Sequence, residues 1–143
     1  MSFRTDLRAA CVQLLTDYKT DANIKLQVYP GRPRSIAPPT AFVDTIREAI
    51  AYSGPTQYQR TPTAEVIVLH ALFDSKEAVD QADAFVDGFL EWVVDRYDAA
   101  DENTTIGITE VDDDPTYVPD WLPPAEQKTY YATRISVEGY AGI

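Results

Sequence analysis

The chain has 143 residues, of which 45% are hydrophobic and 11% aromatic, and it carries a formal net charge of −11 at pH 7. This length predicts one domain with a substantial core, and the apolar and aromatic content excludes a disordered chain. The acidic balance argues against nonspecific nucleic-acid binding, because contacts to phosphates come from Lys and Arg. The sequence has no apolar run near the roughly 20 residues that a membrane span requires, so we expect no membrane partner.

The N-terminal segment predicts an amphipathic helix over residues 3–19 rather than a signal peptide, because it lacks a long apolar stretch. The only cysteine, Cys11, falls on the apolar face of this helix, which predicts a small buried core residue. A lone cysteine cannot form an internal disulfide, so we expect a reducing compartment.

The next segments predict three strands separated by turns. Alternating apolar and polar residues over 24–29 predict a half-buried strand, and four prolines in residues 29–39 prevent a regular element there. Residues 41–52 fit both a helical and a strand pattern, and we favour a long, bent strand. The turn-forming residues 53–62 then predict a hairpin with an extended tip.

Residues 64–73 are apolar on both faces, which predicts a central strand of the sheet. The only histidine, His70, lies inside it and is expected to be a satisfied core or interface side chain. Asp74 then resembles a helix N-cap, with Glu77 at the capping-box position, and a helix to about residue 99 presents a broad apolar face for packing on the sheet.

Two further strands are predicted over 104–111 and about 129–139, joined by an acidic, proline-containing loop that begins at residues 112–114. The element order is α-β-β-β-α-β-β. We therefore expect a single α+β domain over residues 1–143, with a mostly antiparallel mixed sheet and two helices packed on one face.

The acidic residues are concentrated in one third of the chain. Residues 74–120 hold fifteen acidic side chains and two basic ones, whereas residues 1–73 hold eight basic and six acidic ones. Steps of three and four place six of the acids on one face of the second helix; they are Asp80, Asp83, Asp87, Glu91, Asp95 and Asp98. This stripe is either a solvated helix face or a surface that meets a channel, a basic partner or a neighbouring subunit.

Motifs that carry catalytic chemistry are missing. The sequence has no Walker loop, no dinucleotide-binding glycine pattern, no nucleophile elbow and no zinc-protease motif. The consecutive carboxylates of Asp112, Asp113 and Asp114 suit a hard cation such as calcium, but adjacent residues project in different directions, which favours a solvated loop. We expect no enzyme, no metal and no cofactor.

Several residues expected to lie on exposed loops and turns are candidates for contacts with other subunits or partners. Trp121 lies in the stiff segment VPDWLPP, Tyr58 and Arg60 lie near the expected hairpin tip, and Arg32 and Arg34 lie in the proline-rich loop. Trp, Tyr and Arg dominate interface hot spots, and pre-ordered loops lose little entropy on binding. We add the three aspartates of residues 112–114 to these candidates. The alternative is a local role for each, and for Trp121 an indole that folds back onto the domain's own core.

Five segments taken in chain order carry a family resemblance: YPGRPRSIAPPTAFVDTIREA, TPTAEVIVLHALFD, QADAFVDGFLEWVVD, EVDDDPTYVPDW and YYATRISVEGY. Together they resemble tail terminator proteins of long-tailed, non-contractile bacteriophages, more narrowly those of phages that infect actinobacteria. The resemblance implies an α+β domain that forms a hexameric ring on the head-proximal end of the tail tube, stops tube growth and presents a surface to the head connector. It implies no catalytic residues.

The charge pattern agrees with that resemblance, because like charge on a channel wall lets DNA pass without binding. A basic N-terminal half and an acidic middle also suit head-to-tail contacts between copies. The expected partners are further copies of the chain, the major tail tube protein and a head-completion or connector protein, first in the host cytoplasm and then in the virion. A connector or neck protein, an acidic DNA-mimic inhibitor and a small hydrolase are the alternatives.

Overall fold

Two helices and five strands follow one another in the predicted order α-β-β-β-α-β-β. The computed structural model describes residues 3–98 and 106–139, with side chains over 4–95 and 106–139. The elements are α1 (Phe3–Ala22), β1 (Gln27–Tyr29), β2 (Thr40–Gly54), β3 (Gln57–Leu72), α2 (Ala78–Asp98), β4 (Ile106–Tyr117) and β5 (Tyr130–Gly139). A short 3-10 helix, Pro124–Glu126, lies between β4 and β5.

The strands form one mixed sheet in the order β1-β2-β3-β5-β4. β1 pairs with β2 in parallel, and the other three pairs are antiparallel. β3 lies at the centre, and the end of it that pairs with β5 is buried on both faces, from Val66 to His70. The run of apolar residues that predicted a central strand is thus explained by cover on both sides of the sheet.

Both helices pack on one face of the sheet, as predicted. The largest buried side chains there include Phe89 from α2 and Leu7 and Leu15 from α1. Tyr18 of α1 reaches over Gly88 of α2, where an added Cβ would lie 2.7 Å from the Tyr18 hydroxyl oxygen. The missing side chain at Gly88 therefore allows the two helices to approach closely.

The opposite face of the sheet is covered by loops instead of helices. A smaller buried cluster forms there from Phe42, Ile67, Leu69, Tyr117, Tyr130 and Ala132. Ile36, from the proline-rich loop, and Trp121, from the connection between β4 and β5, pack against this cluster. These two loops exclude water from a sheet face that would otherwise expose large apolar side chains.

The segment 41–52, which fits two patterns, is part of strand β2. A β-bulge between Val43 and Ile46 shifts the register, so that both side chains enter the core beneath the helices. The spacing of three residues between them resembles a helical repeat, which explains why the pattern is ambiguous in the sequence.

Several predicted boundaries are wrong. β1 begins at Gln27 rather than at residue 24, and β3 begins at Gln57 rather than at residue 64. Asp74 is not the N-cap of α2, because residues 73–77 form turns and the Glu77 N–H donates to Ser75 Oγ at 3.4 Å. The loop expected from residue 112 is strand instead: β4 continues to Tyr117, with Asp112 opposite Arg134 of β5. Cross-strand partners of opposite charge stabilise this acidic strand end, a tertiary effect that the local sequence does not contain.

Neither helix within the described residues has the combination of length and apolar character needed to cross a membrane.

Candidate interaction surfaces

The acidic stripe forms an exposed face of α2, as its spacing predicts. Asp80, Asp83, Asp87, Glu91 and Asp95 are exposed, while Ala78, Ala82, Phe85 and Phe89 on the other side of the helix are buried. Asp98 belongs to α2, but its side chain lies outside the described residues. Five carboxylates along one helix produce a negative surface directed away from the core.

The three consecutive aspartates of β4 do not act as one group, because side chains of a strand alternate between faces. Asp113 accepts a hydrogen bond from the Tyr131 hydroxyl at 3.1 Å, and Asp114 pairs with Arg134. Asp112 instead contacts Glu110, and their shared hydrogen bond raises the pKa of Glu110. Among the described residues no cluster of three or more His, Cys, Asp or Glu side chains is suited to hold a metal ion.

A network of arginines and carboxylates lies on the loop-covered face of the sheet. Arg134 of β5 binds Asp114 through Nη2 at 2.9 Å and also pairs with Glu65 of β3. Arg32 of the proline-rich loop binds Asp44 of β2 at 2.7 Å, and this hydrogen bond raises the pKa of Arg32. An open, polar cavity of about 260 Å³ separates the two arginines. The Arg32–Asp44 pair ties the covering loop to β2, and the pairs of Arg134 join β5 to its two neighbouring strands, β3 and β4.

Trp121 folds back onto the sheet rather than projecting from its loop. Its Nε1–H donates to the carbonyl of Pro33 at 2.8 Å, and its ring lies 5.3 Å from that of Phe42. The Arg32 guanidinium stacks over the indole, 4.9 Å from its centroid. The structure therefore brings Trp121 and Arg32 together, and the indole folds back onto the domain's own core, which is the alternative considered for Trp121. Arg34 lies exposed on the same proline-rich loop.

Tyr58 and Arg60 lie on a two-stranded extension of the sheet, residues 47–62, which we call the arm. Strands β2 and β3 continue to the two-residue turn at 55–56, so the hairpin is tighter and longer than predicted. Tyr58 faces Tyr52 across the pair, with ring centroids 6.3 Å apart, and Arg60 pairs with Glu48.

Sequence reasoning missed an apolar cavity of about 580 Å³ between the C-terminal end of β3 and the two helices, which we call the groove. Tyr18, Leu26 and Phe85 line it together with His70. His70 Nε2 shares a hydrogen bond with Thr133 Oγ1 at 2.8 Å, and burial lowers the pKa of His70 from 6.5 to about 4. A neutral, bonded histidine here confirms the expectation of a satisfied core side chain.

One signal in the sequence marks the groove, namely apolar residues that continue beyond the ends of regular elements. Ile24 follows α1, and Leu72 and Phe73 follow the buried part of β3; these three side chains are 38%, 41% and 52% exposed. Exposed apolar side chains gathered beside a cavity indicate a contact surface more strongly than isolated ones do.

No protein-family model matches the chain, and a search of the curated proteins finds no match.

Proposed function

We propose that this chain is a structural virion protein that caps the head-proximal end of a phage tail tube, stops its polymerisation and joins the tail to the head connector. The exposed acidic face of α2 carries the proposal. Its five carboxylates form a surface that repels a passing polyanion, as the wall of a DNA channel must. The order of segments that resembles tail terminators supports the same function.

The proposed partners follow from this role. Six copies of the chain form a ring, one side of the ring binds the major tail tube protein, and the other side binds a head-completion or connector protein. DNA passes through the ring without specific binding, since exposed acids on the channel side do not attract phosphates. Assembly takes place in the host cytoplasm, and the protein then remains at the head–tail junction of the virion.

Tube polymerisation provides the test. Purified chain is added to growing tubes of a tail tube protein encoded in the same genome, and tube lengths are measured by negative-stain electron microscopy. We expect tubes of limited length with a ring at one end only. Unlimited growth with no ring at either end would refute the proposal.

Two other outcomes would assign a different role. Rings that bind the connector protein but leave tube length unchanged would indicate a neck protein of the same virion. Tight, salt-sensitive binding to a basic DNA-binding protein, with no effect on tubes, would indicate an acidic mimic of DNA.

A further inference from the structure

The arm extends beyond the body of the sheet. Pairing between β3 and β5 begins at Thr63, opposite Glu138, so that among the described strands only β2 pairs with residues 57–62. A two-stranded ribbon by itself is marginally stable in water, because it buries little apolar surface. The arm therefore gains stability from any surface that covers one of its faces.

One face of the arm displays apolar side chains near its tip, beside the Arg60–Glu48 ion pair. The register places Tyr52 opposite Tyr58 and Ile50 opposite Arg60, so these four side chains share a side. The exposed fractions are 76% for Tyr52, 59% for Tyr58 and 52% for Ile50. Exposed aromatic side chains are typical anchors of protein interfaces.

The groove lies on the same side of the sheet as this apolar face, at the opposite end of β3. Ile46, which precedes the arm, enters the core beneath the helices, and His70 faces Phe85 of α2 across 5.4 Å between ring centroids. Tyr58 and His70 are twelve residues apart on the same strand, a separation of about 40 Å at the usual rise per residue. The arm therefore cannot reach the groove of its own chain.

We propose that the arm of one copy docks into the groove of a second copy, with Tyr52 and Tyr58 as its anchors. The two surfaces match in character, since both are apolar, exposed and found at opposite ends of one strand. Each chain thus offers one donor and one acceptor site. This deepens the ring assembly of the proposed function, on which it rests.

The charges beside the two surfaces are complementary. Residues 47–62 of the arm hold two arginines and one glutamate; since Arg60 pairs with Glu48, the arm has a net charge of +1. Residues 74–83, the turn before α2 and its first turns beside the groove, hold four carboxylates and one lysine. Gln81 lines the groove and its Nε2 donates to Glu77 at 3.5 Å, which places a carboxylate at the rim. Lys25 also lines the groove, but its single positive charge does not offset the carboxylates, so the surroundings remain net negative. The opposite net charges of the two regions steer the encounter.

A contact between two different surfaces of identical chains is heterologous, so each added copy leaves one free arm and one free groove. Such contacts close into a ring when the rotation from copy to copy divides a full turn. They need no second type of interface, which suits a chain of this size.

The test uses two variants, each of which removes one half of the contact. The double substitution Tyr52→Ser and Tyr58→Ser removes the anchors of the arm, and Ala84→Arg places a long charged side chain in the groove from an exposed position on α2. Each variant alone is expected to self-associate about 30-fold more weakly than the wild type, the effect of losing one hot spot. Masses are measured by sedimentation over a wide range of concentrations.

Mixing the two variants gives the sharpest result. The groove variant still has an intact arm and the arm variant still has an intact groove, so a 1:1 mixture is expected to form a heterodimer and nothing larger. Val94→Ala is the matched control, because Val94 is 54% exposed and aliphatic like Ile50, and it lies ten residues, about 15 Å, along α2 from Ala84. It is expected to assemble like the wild type.

Cross-linking then identifies the contact directly. A photoreactive amino acid in place of Tyr58, in a mixture of isotopically light and heavy chains, is expected to join light and heavy copies through peptides that line the groove, which cover residues 18–26, 38–39 and 70–85. Cross-links elsewhere, a wild type that stays monomeric at every concentration, or variants that assemble like the wild type would overturn the docking. If the variants behave as expected but wild-type rings leave tube length unchanged, the docking holds and the proposed function fails. If both variants still form rings that cap the tube, the proposed function holds and the docking fails.

Discussion

The two faces of the sheet are covered by different means. On one face, α1 and α2 bury a regular set of apolar residues, with Phe89 among the aromatic rings of Tyr18, Phe85 and Trp92. On the other face, two loops cover Phe42 mainly through the indole of Trp121 and the ion pair between Arg32 and Asp44. The first cover repeats with the helix period, and the second depends on a few specific contacts.

These two kinds of cover are expected to differ in cooperativity as well as in size. A helix cannot lose one packed residue without disturbing its neighbours on the same stripe, whereas a loop held by one indole and the Arg32–Asp44 ion pair can open on its own. We therefore expect substitutions on the helix-covered face to lower the stability of the whole domain, and those on the loop-covered face to act more locally.

The largest effect is expected for Phe89→Ala. Phe89 is 1% exposed and lies 5.2 Å from the ring of Tyr18, so truncation leaves a cavity between the two helices. The free energy of unfolding should fall by about 3–5 kcal/mol. Denaturant unfolding measures it, with Val94→Ala on the exposed side of the same helix expected within about 0.5 kcal/mol of the wild type. A loss below about 1 kcal/mol for Phe89→Ala would contradict the tight packing of this face.

The second effect depends on pH and concerns His70 on the same face. Because its pKa is lowered to about 4 in the folded protein from 6.5, the unfolded chain binds more protons between these values. The contribution of His70 to the free energy of unfolding is therefore fully present above pH 6.5. It is lost as the pH drops towards 4, by up to about 3 kcal/mol. Unfolding of the wild type and of His70→Gln is compared at both pH values. Equal pH dependence in the two proteins would show that His70 does not contribute.

Trp121→Ala tests the loop-covered face and is expected to cost about 2–3 kcal/mol, less than Phe89→Ala because the indole is only half-buried. Hydrogen exchange should accelerate in residues 30–39 before the rest of the domain, since the indole N–H bonds Pro33. Trp121→Phe keeps a ring but removes the N–H donor, and should cost about 1 kcal/mol from that bond.

Trp121→Ala also decides between the two roles considered for Trp121, a contact with a neighbouring chain and a cover for the domain's own core. An unchanged assembled mass together with a lower melting temperature would reject an interface role. A nearly unchanged melting temperature with weaker assembly would show that the exposed part of the indole contacts a neighbour.

The smallest effect is expected for Asp87→Asn combined with Glu91→Gln on the outer side of the helix layer. Both carboxylates are exposed, so folding stability should change by less than about 1 kcal/mol. Affinity for DNA should rise slightly at low salt and lose this gain as salt screens the field. Asp114→Asn, which removes the partner of Arg134, is the matched comparison and should cost more. A large loss of stability in the double variant would show that these acids are paired in an assembly.

Much of the fold could be predicted because burial imposes a period on the sequence. The stripe of apolar residues in α2, the alternation in β5 and the apolar run of β3 each follow from the face that the element buries. The start of α2 was wrong because local backbone bonds within residues 72–78 form turns there, which the spacing of Asp74 and Glu77 does not reveal. The extent of β4 was wrong because its acidic end depends on Arg134 of the neighbouring strand.

The candidate surfaces divide in the same way. The exposure of the acidic stripe was predicted, since helical spacing alone places these residues opposite the core. Trp121, Arg32 and Asp44 could not be assembled from the sequence, because they come from three separate segments that meet only on the folded sheet. The groove escaped prediction for the same reason, since its walls come from both helices, the proline-rich loop and β3.

The sequence by itself determined the class of fold, the order of its elements, the face that each helix buries and the segregation of charge onto α2. These properties depend on residues close together in the chain, where hydrophobic period and charge spacing act directly. Only the tertiary structure decided where β4 ends, how the arm and the groove lie at opposite ends of β3, and that the Trp121 indole covers the second face of the sheet. These features are set by strand register and by contacts across 63–88 residues of chain, as between His70 and Thr133 or Pro33 and Trp121.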